Sequence, residues 1–173
     1  MINIALLGFG TVGSGCAEVI EKNQKIISAR LGDGVGVKYI LDLRDFPDSP
    51  YADRIVHDFG VIRDDPEISI VAEMMGGVHP AADFTRECLV RGKSVVTSNK
   101  AVVAALGDEL LEIARQNNVR YLFEAAVGGG IPVVRPLIDE LSDNEINSLA
   151  GILNGTTNYI LTEMKRNGTP FDT

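Results

Sequence analysis

The chain has 173 residues, enough for one full core or for one domain and the start of another. Apolar residues make up 45% and charged residues 23%, proportions that are ordinary for a globular protein. The net charge of −8 argues against a general nucleic-acid-binding surface, so local groups would have to hold any anionic ligand. No apolar run approaches the ~20 residues that span a bilayer, and the first residues lack a basic leader, so we expect neither membrane insertion nor export.

The first residues combine an apolar run with a glycine-rich loop. Residues 2–7 predict a buried strand, and the loop that follows at once reads Gly8-Phe9-Gly10-Thr11-Val12-Gly13. Gly8 permits a tight turn, Gly10 lets the backbone approach a phosphate, and Gly13 lets the next helix pack on the strand. The phosphate would meet free N–H groups at the positive end of a helix dipole. The loop therefore predicts a site for NAD or NADP, with a plain strand–turn–helix connection as the alternative interpretation.

Strand and helix patterns then alternate along the chain. The strands are apolar, and the helices carry apolar residues at helical spacing between glycine-rich breaks. We predict a helix over 11–29, a strand over 35–43, a loop over 44–51, a strand over 68–75, a helix over 80–91, a strand over 94–97, a helix over 101–116 and a strand over 119–124. This order predicts an α/β fold with a doubly wound, mostly parallel Rossmann-type sheet.

The pattern changes after Val127. Three glycines at 128–130 indicate a flexible backbone, and a helix from near Pro132, a strand over 146–153 and a helix over 156–165 are predicted to follow. We place a domain boundary here. It separates a dinucleotide-binding domain over 1–130 from the beginning of an α+β substrate and dimerisation domain over 131–173.

The cysteines and histidines offer little for thiol or metal chemistry. Cys16 and Cys88 lie far apart in predicted amphipathic helices, which favours buried structural thiols over a disulfide, a metal site or a nucleophile. His57 and His79 lack metal-ligand spacing with each other or with the cysteines, so we interpret them as surface or structural residues. Sparse cysteine use suits a reducing compartment, and we expect a cytoplasmic protein.

Five sequence blocks resemble the homoserine dehydrogenase family, in the family's order and over essentially the whole chain. They are residues 8–13, 76–77, 95–100 (VVTSNK), 123–132 (FEAAVGGGIP) and 151–161 (GILNGTTNYIL), of which the last two are the more diagnostic. The resemblance implies interconversion of L-homoserine and L-aspartate 4-semialdehyde with NAD or NADP, a step towards threonine and methionine. Such a protein aligns the nicotinamide with the substrate carbon and supplies a group that exchanges the hydroxyl proton.

The resemblance also implies residues of the catalytic and cofactor sites. Lys100 matches the family lysine beside nicotinamide and substrate, where an ammonium polarises a carbonyl oxygen or positions the cofactor. On the residue alone, a solvated surface lysine is the simpler interpretation. Thr97 and Ser98 stand at a strand end that opens to ligand in such sheets, although Ser98 would equally cap a helix. Gly76 is implied as a further cofactor contact.

Cofactor choice depends on the end of the second predicted strand. A carboxylate there, from Asp42 or Asp45, would bind a ribose 2′-hydroxyl and favour NAD, whereas Arg44 would pair with a 2′-phosphate and favour NADP. Leu43-Arg44-Asp45 resembles the family's usual Val-Arg-Asp, which favours NADP slightly. Each charge is also compatible with an ordinary loop.

A cation site is implied where the glycine-rich stretch begins. Glu124, Val127, Gly129 and Ile131 match the positions at which the family binds a monovalent cation such as sodium, mostly through backbone carbonyls with one carboxylate. The glycines would allow the chain to curl its carbonyls inward. Without the resemblance, Glu124 is better explained as a carboxylate that accepts backbone N–H bonds at a strand end.

A substrate contact is implied at the last predicted helix. Gly155 and Thr156 match the family's substrate-contacting turn, where a helix N-terminus suits the polar end of an amino acid. Helix capping by Asn154 or Thr156 is the simpler interpretation, and the two roles can coexist.

The chain departs from the family in one respect. The family continues into further acidic substrate contacts and a second, proton-exchanging lysine, and these blocks have no counterpart here. We therefore expect an N-terminal portion that binds dinucleotide and turns over poorly or not at all. The complete enzyme is expected to be a homodimer.

Two other classes of protein stay open. A non-catalytic dinucleotide-binding or regulatory module would bind cofactor without any effect of homoserine. A different dehydrogenase, such as aspartate-semialdehyde dehydrogenase, would need a thiolate and therefore an activated Cys16 or Cys88. The fold alone does not distinguish these classes.

Overall fold

The computed structural model describes residues 1–171 and divides into two compact units, Met1–Gly130 and Ile131–Thr173. The last two residues of the second predicted domain, 172 and 173, lie outside the described residues. The strands are β1 (Ile2–Leu7), β2 (Val35–Leu41), β3 (Ile55–Val56), β4 (Ile68–Glu73), β5 (Ser94–Thr97) and β6 (Tyr121–Leu122). The helices are α1 (Thr11–Lys22), α2 (Gln24–Leu31), α3 (Phe59–Arg63), α4 (Ala81–Val90), α5 (Lys100–Gln116), α6 (Glu124–Val127) and α7 (Gly155–Asn167).

Within the described residues, the six strands form one parallel sheet in the order β3-β2-β1-β4-β5-β6. This order confirms the predicted doubly wound, Rossmann-type α/β fold. The chain runs outward from β1 to β2 and β3, and then returns to the other side of β1 for β4, β5 and β6. Ligands of such sheets bind in the crevice beyond the carboxyl ends of the strands at the point where this order reverses, here between β1 and β4.

Apolar side chains cover both faces of the sheet, as expected for a parallel sheet with helices on each side. Alternate residues of β1 separate the two cores. Ile4 and Leu6 belong to the core that includes Ala17 of α1. Ala5 and Leu7 belong to the larger core, which holds α3, α4 and α5 against the sheet.

The predicted helix over 11–29 is interrupted at Asn23, which separates α1 from α2. The Asn23 side-chain amide donates to the carbonyl of Val19 at 2.8 Å, and its backbone N–H donates to the same carbonyl at 3.1 Å. Asparagine side chains compete in this way with continued helical bonding. The prediction was therefore wrong in joining two helices and in ending at residue 29, since α2 continues to Leu31 and has no buried residue.

The segment between Tyr51 and Pro66 contains elements that the sequence pattern did not predict. A short 3-10 turn (Ala52–Arg54) leads into β3, and α3 follows with Asp58 as its cap. The Asp58 carboxylate accepts the N–H of Gly60 at 2.8 Å. Two-residue strands and five-residue helices are too short to show a periodic pattern, which explains why they were missed.

The second unit contains α7, a π-helical turn (Pro136–Glu140) and irregular chain among its described residues. The predicted helix near Pro132 corresponds to this turn, and the predicted last helix corresponds to α7. The predicted strand over 146–153 was wrong, because these residues adopt no strand and are exposed. An extended segment becomes a strand only by pairing its backbone groups with a neighbour. No strand is described in this unit to serve as that neighbour.

In the described part of the chain, no helix is both long and apolar enough to cross a membrane.

Two buried threonines provide a matched test of the core. The Thr85 hydroxyl in α4 has no hydrogen-bond partner among the described residues, whereas the Thr97 hydroxyl donates to Glu73 at 2.5 Å. Thr85→Val should raise the free energy of unfolding by about 1 kcal/mol because it removes an unpaired buried polar group, and Thr97→Val should lower it by about 1–2 kcal/mol. Urea denaturation measures both. Destabilisation by Thr85→Val as large as that by Thr97→Val would contradict the assignment.

Candidate functional site

The glycine-rich loop packs so closely that two of its glycines exclude side chains. A Cβ on Gly13 would lie 2.0 Å from the carbonyl oxygen of Gly8, so the first turn of α1 rests directly on the end of β1. Gly8 has a φ of +95°, and a Cβ there would lie 3.0 Å from the carbonyl oxygen of Met74. Both glycines are therefore required by the fold itself.

Gly10 differs from these two glycines because the space around it is open. It is exposed, has a φ of −78° and precedes α1, and a Cβ there would meet nothing within 4 Å. The protein's own packing therefore does not require a glycine at this position. Glycine is a favoured helix N-cap, and it would also permit close approach of a ligand to the backbone.

The N-terminus of α1 faces the same loop and suits an anion. Ser14 donates its N–H to the carbonyl of Gly10 at 2.9 Å, which is the first helical bond, so the amides of Thr11, Val12 and Gly13 precede the hydrogen-bonded turns. The first turn contains no acidic residue. Amide groups and the helix dipole together favour a phosphate at this position.

A cleft of about 570 Å³ opens beside the loop. Gly8, Phe9, Gly10, Arg44 and Gly76, all predicted cofactor contacts, line it. Its remaining lining residues are Leu41, Asp42, Leu43, His57, Phe59, Met74, Met75, Pro80 and Phe84. The cleft therefore runs along the carboxyl ends of β2, β1 and β4, across the point where the strand order reverses.

Phe9 contributes its backbone to this site, while its ring belongs to the core. The ring is buried and makes edge contacts with Phe46 and Tyr51, at centroid distances of 5.0 and 5.9 Å. The Phe9 N–H donates to the Asp42 carboxylate at 2.9 Å. A carboxylate at the end of β2 thus fixes the middle of the glycine-rich loop.

The Asp42 carboxylate also holds Arg44. The Arg44 Nε and Nη2 donate to the two carboxylate oxygens at 3.0 and 3.1 Å, and the Arg44 backbone N–H donates at 3.0 Å. The Arg44 guanidinium and these N–H groups lower the pKa of Asp42 to about 2, so the carboxylate stays ionised at neutral pH. Sequence reasoning treated the two charges as alternative ligands and missed that they pair with each other.

His57 forms part of the wall of the cleft, although it was predicted to be only a surface or structural residue. Its Nδ1 bonds the carbonyl of Asp42 at 2.7 Å, and its Nε2 lies 3.0 Å from the Asp45 carboxylate. The bond to the Asp42 carbonyl and the neighbouring Asp45 raise the pKa of His57. His79 is exposed and bonds Asp83 at 2.8 Å, in agreement with a structural role.

The other end of the carboxyl edge is formed by the ends of β4 and β5. Lys100, the predicted catalytic residue, is exposed at the first position of α5, and Ser98 is half-buried. The Thr97 side chain is buried and its hydroxyl donates to Glu73, so any contact of Thr97 with a cofactor would have to use its backbone. The Ser98 N–H donates to the Glu73 carbonyl at 3.1 Å.

Sequence reasoning missed Glu73, a buried carboxyl group at the end of β4. Burial raises its pKa, while hydrogen bonds from Thr97, Met75 and Asn99 oppose this effect. The available signal was the acidic residue that ends the otherwise apolar run over 68–73.

Three of the four predicted cation ligands lie in α6 or directly after it. Glu124 begins this helix, Val127 ends it, and Gly129 follows with a left-handed φ of +58°. Carbonyl groups in the last turn of a helix lack helical partners, which suits the Val127 carbonyl to a cation. Ile131 is exposed and is the first residue of the second unit.

Gly155 and Thr156, the predicted substrate contacts, are the first two residues of α7. Asn154 caps this helix, since its side-chain oxygen accepts the Thr157 N–H at 2.8 Å and the Thr157 hydroxyl at 2.7 Å. The capping interpretation is therefore correct, and it leaves the backbone N–H groups of Gly155 and Thr156 as the groups that would meet a ligand.

Neither cysteine is suited to act as a nucleophile. Cys88 is fully buried in α4, and burial raises the pKa of its thiol to about 12. Burial also raises the pKa of Cys16. Thiols of this kind stay protonated and inert at neutral pH, which disfavours the thiolate-dependent class of dehydrogenase.

The sequence matches models of one enzyme family over most of its length. The model described as "Homoserine dehydrogenase, NAD binding domain" matches residues 8–124, and the model described as "Homoserine dehydrogenase" matches residues 132–173.

Curated relatives share this similarity. A homoserine dehydrogenase of Synechocystis sp. is 44% identical over 99% of this chain and 40% of the relative. One of Pseudomonas aeruginosa is 42% identical over 98% of this chain and 39% of the relative. The chain thus spans about two fifths of the length of these relatives.

Solved structures agree with the sequence matches. A homoserine dehydrogenase from Thiobacillus denitrificans has a TM-score of 0.90 and 39% identity, covering 99% of this chain and 40% of that protein. A hyperthermophilic archaeal homoserine dehydrogenase in complex with NADPH has a TM-score of 0.81 and 28% identity, covering 99% of this chain and 58% of that protein. The fold, the glycine-rich cleft and the matches over residues 8–124 and 132–173 lead to one conclusion: this chain belongs to the homoserine dehydrogenase family.

Proposed function

We propose that the chain is the dinucleotide-binding portion of a homoserine dehydrogenase, which interconverts L-homoserine and L-aspartate 4-semialdehyde. The observation that carries this proposal is the open space at Gly10, in front of the amides that begin α1 and inside a cleft at the carboxyl edge of the sheet. These features fit the pyrophosphate of NAD or NADP. The family match supports the choice of reaction.

The residues of this chain would then bind and orient the reactants. A nicotinamide bound here would supply hydride exchange with the carbinol carbon of homoserine, while the hydroxyl proton would pass to a base. Gly10 and the N-terminus of α1 hold the phosphates, while Asp42 and Arg44 meet the adenosine ribose. Lys100 places an ammonium group near the substrate oxygen, where it stabilises the charge that develops on that oxygen.

Further contacts are proposed from the family resemblance. Glu124, Val127, Gly129 and Ile131 would contribute to a monovalent cation site, and the start of α7 would bind the polar end of the amino acid. The homodimer and the cytoplasmic location expected from the sequence remain predictions.

The proposal is tested by calorimetry of NAD and NADP binding with and without L-homoserine, and by an assay of homoserine oxidation with the same preparation. Binding of either dinucleotide supports the proposal, and binding without turnover is the expected result. Failure to bind both would contradict it. Tight binding that homoserine leaves unchanged would favour a non-catalytic binding module.

The open space at Gly10 makes a sharp prediction. Gly10→Ala should weaken dinucleotide binding about tenfold or more because its Cβ would occupy the space in which the phosphate approaches. The thermal midpoint should fall only modestly, since the new Cβ meets no protein atom but alanine is a poorer helix N-cap than glycine. Calorimetry and thermal unfolding measure the two effects.

Gly15→Ala is the matched control, because a Cβ on Gly15 also meets nothing within 4 Å but lies one turn further along α1. It should keep dinucleotide affinity within about twofold and should stabilise the helix by up to ~1 kcal/mol. Equal affinity losses in the two variants would argue against a phosphate at Gly10.

For cofactor choice, we propose that Asp42 disfavours NADP. The slight sequence preference for NADP rested on Arg44, but Arg44 is paired with a carboxylate that would also repel a 2′-phosphate. We expect tighter binding of NADH than of NADPH.

Asp42→Asn should raise the ratio of NADPH to NADH affinity about tenfold, because it frees Arg44 while its side-chain oxygen still accepts the Phe9 N–H. Asp48→Asn makes the same charge change at an exposed position of the same loop and should leave the ratio unchanged. Titration of the fluorescence of each reduced cofactor gives both affinities. A ratio that Asp42→Asn leaves unaltered would refute the role of Asp42.

A further inference from the structure

A buried carboxyl group joins the loops that follow β4 and β5. Glu73 is fully buried at the end of β4. One of its oxygens accepts the Met75 N–H at 2.7 Å and the Asn99 side-chain amide at 3.3 Å, and the other accepts the Thr97 hydroxyl at 2.5 Å. Its partners thus lie on both loops, at the edge of the sheet where Lys100 emerges.

Asn99 extends this network to both loops and to the start of α5. Its side-chain amide also donates to the Gly77 carbonyl at 2.7 Å, and its backbone N–H donates to the Thr97 hydroxyl at 2.9 Å. Its side-chain oxygen accepts the N–H groups of Ala101 and Val102 at 3.1 and 3.3 Å. Lys100 lies between Asn99 and Ala101, so the network fixes the backbone on both sides of it.

Burying the Glu73 carboxyl group is energetically unfavourable, and core packing does not require a carboxyl group at this position. An apolar side chain would fill the same place under α4 and α5 without desolvating a carboxyl group. The groups that donate to Glu73 are neutral, so the gain is hydrogen bonding that links two separate loops.

We propose that Glu73 is a positioning residue for the nicotinamide end of the cofactor site: it holds the loop at Gly76 and Gly77 in register with Lys100 without touching the ligand itself. This inference rests on the proposed function. The adenosine end of the cleft is organised separately, because Asp42 and Arg44 stand on the other side of β1 at the end of β2.

Effects on the nicotinamide end and the adenosine end of the cofactor site can be distinguished by comparing the binding of NADH with that of ADP-ribose, which lacks the nicotinamide ring. With the 173-residue chain, Glu73→Met should weaken NADH binding about tenfold, because it leaves the Met75 N–H and the Thr97 hydroxyl without an acceptor. ADP-ribose affinity should stay within about twofold of wild type. Calorimetry measures both ligands.

Glu73→Gln tests whether hydrogen bonding or charge matters. Its amide oxygen can accept from Met75 and Asn99 while its amide nitrogen donates to the Thr97 oxygen. NADH affinity should therefore stay within about threefold of wild type. A loss of NADH affinity as large as that in Glu73→Met would overturn the hydrogen-bonding role and would show that the charge of Glu73 determines the affinity.

Lys93→Met is the matched control for a general loss of stability. Lys93 is also a buried charged residue, but it lies at the amino-terminal end of β5, away from the cofactor cleft. It donates to the carbonyls of Asp65 and Ile68. This variant should lower the thermal midpoint without changing the ratio of NADH to ADP-ribose affinity. If Glu73→Met does not fold, Thr97→Val removes one donor of the network and should lower the same ratio.

The outcomes distinguish the positioning role of Glu73 from the proposed dinucleotide-binding function. Selective loss of NADH affinity supports the positioning role, and an equal loss of NADH and ADP-ribose affinity overturns it. Wild-type protein that binds ADP-ribose as tightly as NADH also overturns it, while leaving dinucleotide binding intact. Wild-type protein that binds neither ligand contradicts the proposed function itself.

Discussion

The contact between the first turn of α1 and the end of β1 is the constraint on which the site depends. Because Gly13 lies directly against the Gly8 carbonyl, α1 begins immediately beyond the sheet, next to the loop residues Gly8, Phe9 and Gly10 that line the cleft. Any side chain at Gly13 would push the helix away and with it the group of donors that begins the helix. The Asp42 carboxylate then fixes the loop from the neighbouring strand through the Phe9 N–H.

This arrangement explains how an acidic chain can accept an anionic ligand. The net charge of −8 gives no general attraction, so binding has to come from groups within a few ångströms of the phosphates. Backbone amides supply that attraction without a mobile cation, and the first turn of α1 carries no acid to oppose it. Of the two positive side chains predicted to contact the cofactor, Arg44 lines the cleft beside β2, and Lys100 is exposed at the start of α5.

The sequence predicted most of the scaffold, because buried parallel strands and amphipathic helices leave strong periodic patterns. It also identified the glycine-rich loop, whose residues are adjacent in the chain. Pairings between distant residues had no such signal: Asp42 with Phe9, and Glu73 with Thr97 and Asn99, depend on strand order and register. The predicted strand over 146–153 failed for a related reason, since its pattern describes the segment and says nothing of whether a partner strand is present.

The edges of the sheet have a consequence for the behaviour of the first unit in solution. Both edge strands, β3 and β6, are only two residues long, so each presents few unpaired backbone groups to another molecule. Long, flat edges promote strand addition and aggregation, and natural sheets commonly avoid this by ending in short strands. The apolar side chains exposed near one edge, Val96 and Leu122, are therefore not accompanied by a ladder of free N–H and C=O groups. Contacts made there would be between side chains and would not extend the sheet by strand addition.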